Sequence, residues 1–354
     1  MPELIKRGQE LELDIESLAY GGMGIAKKDN FVIFVKNAIP GQKVFARVYK
    51  KRKGYAEAQV LETLVESPNA VDVCCKHYWI CSKIQSLSYD EQIKEKSSQV
   101  EDAFVRLGGF LNFKLDKVQK ANLIYHYRNK MEFTFSPNRW VLESEPEGVD
   151  KSFALGLHIP GRFDKILDIH NCHIQPEIGN KILAAAREVC LANPELRPYD
   201  PRSHIGFLRF LMLRFGVNTG DLMVNVVTSY HDIDKLSPLT DLLLEKFPEI
   251  TSLVNNVNTR KADVAFGEYE TLLYGKPFIQ EKIGDLTFEI SANSFFQTNT
   301  TQGEVLYKEV EEALELRGDE IIYDLYCGTG TIGLYLSSNR SEEHTSELQS
   351  PMYL

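Results

Sequence analysis

Apolar residues change their period several times along this chain, and each change predicts an element. From Glu10 to Ile15 they alternate with acidic residues, which is the period-two pattern of a half-buried strand. Phe31-Val32-Ile33-Phe34-Val35 is a short continuous apolar run and reads as a second strand. Lys43-Val44-Phe45-Ala46-Arg47-Val48 and residues 56–61 supply further strands, and Ala19-Tyr20-Gly21-Gly22-Met23-Gly24 and Pro40-Gly41 supply turns. About five short strands before the linker Glu66-Ser67-Pro68-Asn69 predict a small OB-like β-barrel over residues 1–66. A helical pattern then runs over 89–107 and stops at Gly108-Gly109. Between 120 and 290 strands (Met131-Glu132-Phe133-Thr134-Phe135; Met223-Val224-Asn225-Val226-Val227) mix with helices (182–191; 236–246). Residues 302–316 predict an amphipathic helix with Val305, Val310, Ala313 and Leu314 on one side.

A chain of 354 residues implies two or three domains. Its 43% hydrophobic and 25% charged residues are those of an ordinary globular protein. No apolar run approaches membrane-spanning length, and the N-terminus, Met-Pro-Glu-Leu-Ile-Lys-Arg, lacks the apolar centre of a signal peptide. A cytoplasmic protein with no membrane partner and no obligate protein partner is expected. The net charge of −10 does not suggest nucleic acid, but phosphate contacts need only one basic face. Lys50-Lys51-Arg52-Lys53 is the densest basic run, and it fits either a solvated hairpin tip or an RNA contact. Tyr49 and Tyr55 flank it and could stack on bases, although barrel tyrosines are commonly structural. Of the six cysteines, Cys74, Cys75 and Cys81 lie close together. A cytosolic chain would use such a group for metal or redox chemistry, or bury it as plain thiols.

Asp324-Leu325-Tyr326-Cys327-Gly328-Thr329-Gly330-Thr331-Ile332-Gly333-Leu334 follows the apolar run Ile321, Ile322, Tyr323. That reads as strand, glycine turn and helix start. Gly328 and Gly330 permit a tight turn and a close approach of backbone to ligand. The full G-x-G-x-x-G spacing is missing and no Lys-Ser/Thr pair follows, which argues against a P-loop.

Several of these segments together resemble the RNA (uracil-5-)-methyltransferase family, most closely its 23S ribosomal branch with a TRAM domain. They are Tyr20-Gly21-Gly22-Met23-Gly24, Tyr127-Arg128-Asn129-Lys130-Met131-Glu132-Phe133, Gly156-Leu157-His158 with Asp168-Ile169-His170-Asn171-Cys172, Ser294-Phe295-Phe296-Gln297-Thr298-Asn299, and the 324–334 stretch. The resemblance covers residues 1 to about 339 and keeps the family's order. It implies an α/β and β multi-domain protein: a TRAM-like OB barrel over 1–66, a central α+β domain with the cysteine cluster over 67–290, and the first strand-loop-helix of a Rossmann-like methyltransferase domain over 291–339. It also implies S-adenosylmethionine as cofactor and ribosomal RNA as substrate, hence a role in rRNA processing. Gln297, Asp324, Tyr326, Gly328, Gly330 and Thr331 match cofactor-site positions, and Lys50, Lys51, Arg52 and Lys53 are the RNA-binding candidates. Without the resemblance, Gln297 would read as a residue capping a helix start; Phe295 and Phe296 are expected to be core rather than stacking platforms.

In that family a cysteine thiolate adds to uracil C6, C5 takes the methyl group, and a glutamate removes the C5 proton before the thiolate leaves. The base has to be splayed from its stack to expose C6. Cys327 lies inside the cofactor loop and cannot also face C6, so no catalytic residue is assigned; the family's cysteine and glutamate match nothing in this chain. Two departures follow. The ribosomal branch binds a four-iron, four-sulfur cluster through Cys-x5-Cys-Gly-Gly-Cys and a distant cysteine. Cys75, Cys81 and Cys172 match, but Ser82 stands where the third ligand is expected, so the set is incomplete and a labile or absent cluster is expected. The second departure is Arg340-Ser341-Glu342-Glu343-His344-Thr345-Ser346-Glu347-Leu348-Gln349-Ser350, which resembles a translated sequencing adapter rather than the family. Residues 340–354 are therefore expected to be a foreign tail, and the chain an inactive fragment in which Ile321, Ile322 and Ile332 lack cover. The alternatives are a non-catalytic RNA-binding protein built on the barrel and a tRNA-directed uracil-5-methyltransferase.

Overall fold

The structure is a computed structural model and describes residues 5–261, 264–317 and 320–338. The tail expected to be foreign lies outside the described residues. The chain divides into two compact units, Met1–Asn122 and Leu123–Leu354.

The first unit begins with β1 (Glu10–Asp14), β2 (Ser17–Leu18), β3 (Gly24–Lys28), β4 (Phe31–Lys36), β5 (Lys43–Lys51) and β6 (Tyr55–Val65). They form one sheet in the order β1-β5-β6-β4-β3-β2. Only Ile15 and Glu16 separate β1 from β2, so the two ends of that order are consecutive in the chain and the sheet curls into a barrel. The alternation read in β1 points Leu11 and Leu13 inward. There they join Ile15, Ile33, Val35, Val44, Val48 and small alanines in one core. Beyond the barrel come α1 (Tyr78–Cys81), α2 (Tyr89–Asp102) and a π-turn at Ala103–Leu107. Glu95 and Gln99 of α2 tie to the backbone of Leu18, at 2.9 and 3.1 Å.

The second unit is built on eight strands. They are β7 (Lys130–Ser136), β8 (Arg139–Trp140), β9 (Ala154–His158), β10 (Ile166–Asp168), β11 (Leu208–Phe215), β12 (Leu222–Thr228), β13 (Ser252–Val257) and β14 (Tyr269–Gly275), ordered β14-β13-β12-β11-β7-β9-β10-β8. Every residue of β11, β12 and β13 is buried, which requires cover on both faces. Helices α3 (Glu177–Ala192) and α4 (Ile233–Lys246) bury Ile182, Leu183, Ala186, Leu236, Leu239 and Leu243. Met223 of β12 and Val254 of β13 pack instead with the hairpin β15 (Phe278–Ile283) and β16 (Leu286–Ser291), with Phe296, and with Tyr307 of α5 (Thr300–Leu314). The last described helix, α6 (Thr331–Ser338), joins this cluster through Ile332 and Tyr335.

Three expectations change. The strand expected at Ile321, Ile322 and Tyr323 is not formed. That run is exposed (77%, 36% and 79%), and no described strand pairs with it. An extended segment without a neighbour leaves its N–H and C=O groups to water. Ile332, expected to be uncovered, is partly buried against the Tyr307 cluster. The buried stripe of α5 is Thr300, Gly303 and Tyr307, three to four residues apart, whereas Ala313 and Leu314 are exposed.

Candidate active site

Gln297 lies in the connection between β16 and α5, and three buried contacts hold that connection. The Asn129 side-chain amide donates to Gln297 O and to Thr300 Oγ1, both at 2.8 Å, while the Asn129 backbone N–H donates to Thr298 O at 2.8 Å. Thr300 in turn donates to the Glu281 carboxylate at 2.7 Å. Glu281 is fully buried, and among the described residues no cation bonds it. It instead accepts from the backbone N–H groups of Val217, Asn218 and Lys282 at 2.8–2.9 Å. Four donors make a buried carboxylate tolerable, because each replaces a water it has lost. Third, Arg214 of β11 reaches across to the carbonyls of Ala292 and Ser294. Burial pulls its pKa down to about 10, with Glu132 acting in the opposite direction.

The peptide carrying Gln297 is thus fixed at Ala292, Ser294, Gln297 and Thr298 before it enters α5. A Cβ at Gly303 would meet Gln297 Cβ at 3.3 Å, so α5 lies directly beneath the glutamine. One turn further along, the buried Tyr307 hydroxyl bonds Thr331 Oγ1 at 2.8 Å. Thr331 opens α6 and ends the glycine turn. The one α5 face therefore holds both the Gln297 peptide and the end of the glycine loop.

Within that loop Gly330 N donates to Cys327 O at 2.7 Å and Leu334 N to Gly330 O at 2.9 Å. Gly328 and Gly330 take φ of +57° and +72°, left-handed values that a side chain resists. A Cβ at Gly328 would meet nothing within 4 Å, so the turn is open. Tyr326 is 97% exposed, and its N–H reaches Asp324 Oδ1 at 3.3 Å. An open glycine turn flanked by an exposed ring and a carboxylate fits a cofactor with an adenosine and an amino-acid end. Thr331, by contrast, is buried and engaged with Tyr307. Phe296 is core at 4% exposure, but Phe295 is 65% exposed, against the expectation that both are core.

Of the basic run, Lys50 pairs with Glu57 and Lys51 Nζ lies 4.0 Å above the Phe31 ring, while Arg52 and Lys53 are exposed at the β5–β6 turn. Among the cysteines, Cys74 and Cys81 are exposed and Cys75 is buried. Burial pushes the Cys75 thiol up, and a bond with His77 opposes it. Cys172 belongs to the second unit and is buried, its backbone N–H accepted by Asn180 Oδ1 at 2.8 Å. Among the described residues no group of three or more His, Cys, Asp or Glu could hold a metal ion. Three matched thiols leave a four-thiolate cluster one ligand short.

Asn129, Arg214, Glu281, Thr300 and Tyr307 carry no assigned role in the sequence reading. Glu281 had a signal: in β15 it shares a period-two face with Ile279 and Ile283, and so points inward. Arg214 had one too, as a charge inside the apolar strand Leu-Arg-Phe-Leu-Met-Leu-Arg-Phe.

A TRAM domain matches residues 5–61, which is the barrel. An uncharacterized RNA methyltransferase of Chlorobaculum tepidum is 41% identical over 305 residues, covering 84% of this chain and 63% of that protein. One of Porphyromonas gingivalis is 38% identical over 335 residues, covering 92% of this chain and 72% of its own length. The chain belongs to the RNA uracil methyltransferase family. The uracil assignment adds the structure of the Pyrococcus abyssi tRNA (uracil-54, C5)-methyltransferase in complex with S-adenosyl-L-homocysteine. It superposes with a TM-score of 0.69 at 26% identity, covering 93% of this chain and 70% of that one. This family member spans less than two thirds of the Chlorobaculum relative's length. Among its described residues no helix is long and apolar enough to cross a membrane.

Proposed function

We propose that the protein acts in S-adenosylmethionine-dependent methylation of uracil C5 in RNA, with 23S ribosomal RNA as substrate and 5-methyluridine as product. The observation that carries the reading is the shared α5 platform, which holds the Gln297 peptide at one turn and the Thr331 end of the open glycine loop at the next. The Pyrococcus structure supports the cofactor through its bound S-adenosyl-L-homocysteine. Bound there, the cofactor would supply a methyl group on a sulfonium. Gly328 and Gly330 would let it approach the backbone, and Asp324 and Tyr326 would hold its amino-acid end and its ring. Gln297 would present its amide to the uracil edge, donating and accepting at once. Its backbone is anchored at four carbonyls, so the Cα from which the amide extends is held in place before the substrate arrives. We assign the thiolate addition at C6 and the C5 deprotonation to no residue, because none of the 354 matches the family's cysteine or glutamate. Lys50, Lys51, Arg52 and Lys53 are proposed to hold RNA phosphates.

The test compares two proteins with labelled S-adenosylmethionine and unmodified ribosomal and transfer RNA transcripts. One is this chain. The other continues it after Leu336 with the corresponding segment of the Porphyromonas relative. The chimera is expected to label 5-methyluridine in ribosomal RNA, and this chain alone to label none. Label in transfer RNA only would move the substrate to that RNA. A chimera that binds RNA but transfers no methyl group would favour the non-catalytic RNA-binding reading. Methylation by the unmodified chain would overturn its expected inactivity.

A further inference from the structure

We propose that the outer face of β4, β5 and β6 is a groove for single-stranded RNA that Glu57 holds closed, by occupying the Lys50 ammonium and the Tyr49 hydroxyl that a phosphate would take. This rests on the reading of the barrel as an RNA-binding module. The strand register assembles the face: Glu57 of β6 stands opposite Lys50 of β5 on one side and Phe34 of β4 on the other. Glu57 Oε1 accepts from Lys50 Nζ at 2.5 Å and Oε2 accepts from the Tyr49 hydroxyl at 2.8 Å. Lys36 Nζ lies 4.7 Å above the Tyr49 ring, and its charge also acts on Glu57. Next to Glu57, Tyr55 meets Phe34 edge to face at 5.5 Å, and both rings are half-exposed. Exposed Arg52 and Lys53 continue the positive charge around the β5–β6 turn.

Two lysines, a phenol and two partly open rings surround one carboxylate. A lysine and a tyrosine hydroxyl are donors, and a phosphate oxygen accepts from them as a carboxylate oxygen does. Rings flanking a cationic track fit unpaired bases, whose faces are free to stack. A duplex offers no such faces to the side. Glu57 is therefore a built-in competitor. The Lys50 and Glu57 side chains are 40% and 18% exposed, so water reaches the ammonium and a polyanion can compete for it.

The experiment measures binding of the full chain to a labelled single strand of about twelve nucleotides by fluorescence anisotropy over a range of salt. Glu57→Gln is expected to tighten binding by about 1.5- to fivefold at low salt, the range of one exposed ion pair. Freeing one cation should steepen the slope of log affinity against log salt by about 0.7. Adding Lys50→Ala to that variant should cancel the gain. Glu188→Gln, the same charge change on α3, should leave affinity unaltered. Glu57→Thr repeats the measurement should the glutamine variant fail to fold. Equal gains from Glu188→Gln, or an equal gain for a duplex, would overturn the proposal. If Glu57→Gln changes nothing while reversing Lys50, Lys51, Arg52 and Lys53 to glutamate abolishes binding, the groove is wrong and the RNA-binding barrel stands. If the reversal also changes nothing, the barrel does not bind RNA and both ideas fall.

Discussion

Asn129 shows how much one side chain can organise. It sits in a segment that the family resemblance singles out, yet its chemistry emerges only when residues far apart in the chain meet: its amide bridges Gln297 and Thr300. Asn129→Ala leaves a carbonyl and a hydroxyl short of a donor in a buried place, and is expected to cost about 1–3 kcal/mol in denaturant unfolding. Glu57 allows a prediction in pH. Its carboxyl is held below the ordinary value of 4.5, first by the bond from Lys50 and then by that from Tyr49. A depressed folded pKa contributes stability above that ordinary value and loses it as pH falls through the folded one. Melting curves should therefore separate the natural barrel from Glu57→Gln at neutral pH and bring them together in acid. A gap that widens in acid would show the sign to be wrong.

Strands and helices were legible where one period dominates and obscure where a segment depends on a partner. β1 could be read because Leu11 and Leu13 alternate with charge. β11, β12 and β13 alternate in nothing, since both their faces are covered, and of these three only β12 was read. Residues 321–323 are apolar enough for a strand but have no described partner, so apolarity alone misleads there. Gly156 illustrates a constraint on pairing that no local pattern reveals: a Cβ there would come within 1.9 Å of Leu167 O on the neighbouring β10. Gly156→Ala must push β9 and β10 apart, and a loss of at least about 1–3 kcal/mol on unfolding is expected. α6 is tied to α5 by the Tyr307–Thr331 bond. Tyr307→Phe should keep the ring's packing and lose that bond. Faster amide exchange confined to 331–338, with a change of about 1 kcal/mol, is the expected reading.

For the protein as a whole, order along the chain and arrangement in space carried different information. The barrel and the glycine turn follow from local patterns of residue type, because turns and strand alternation are short-range consequences of backbone sterics and burial; the candidate cofactor residues come instead from the motifs' resemblance to a known family. Which glutamine peptide is held, by which asparagine, and on which face of α5, depends on contacts between residues more than 150 positions apart, such as Asn129 with Gln297 and with Thr300. The same holds for the basic run: four cations in a row look alike in a string of letters, yet the register pairs Lys50 with Glu57 and lays Lys51 over Phe31. Burial and pairing are properties of the folded chain. A list of residue types contains the groups but not the distances between them, and those distances set which charges are free to meet a ligand.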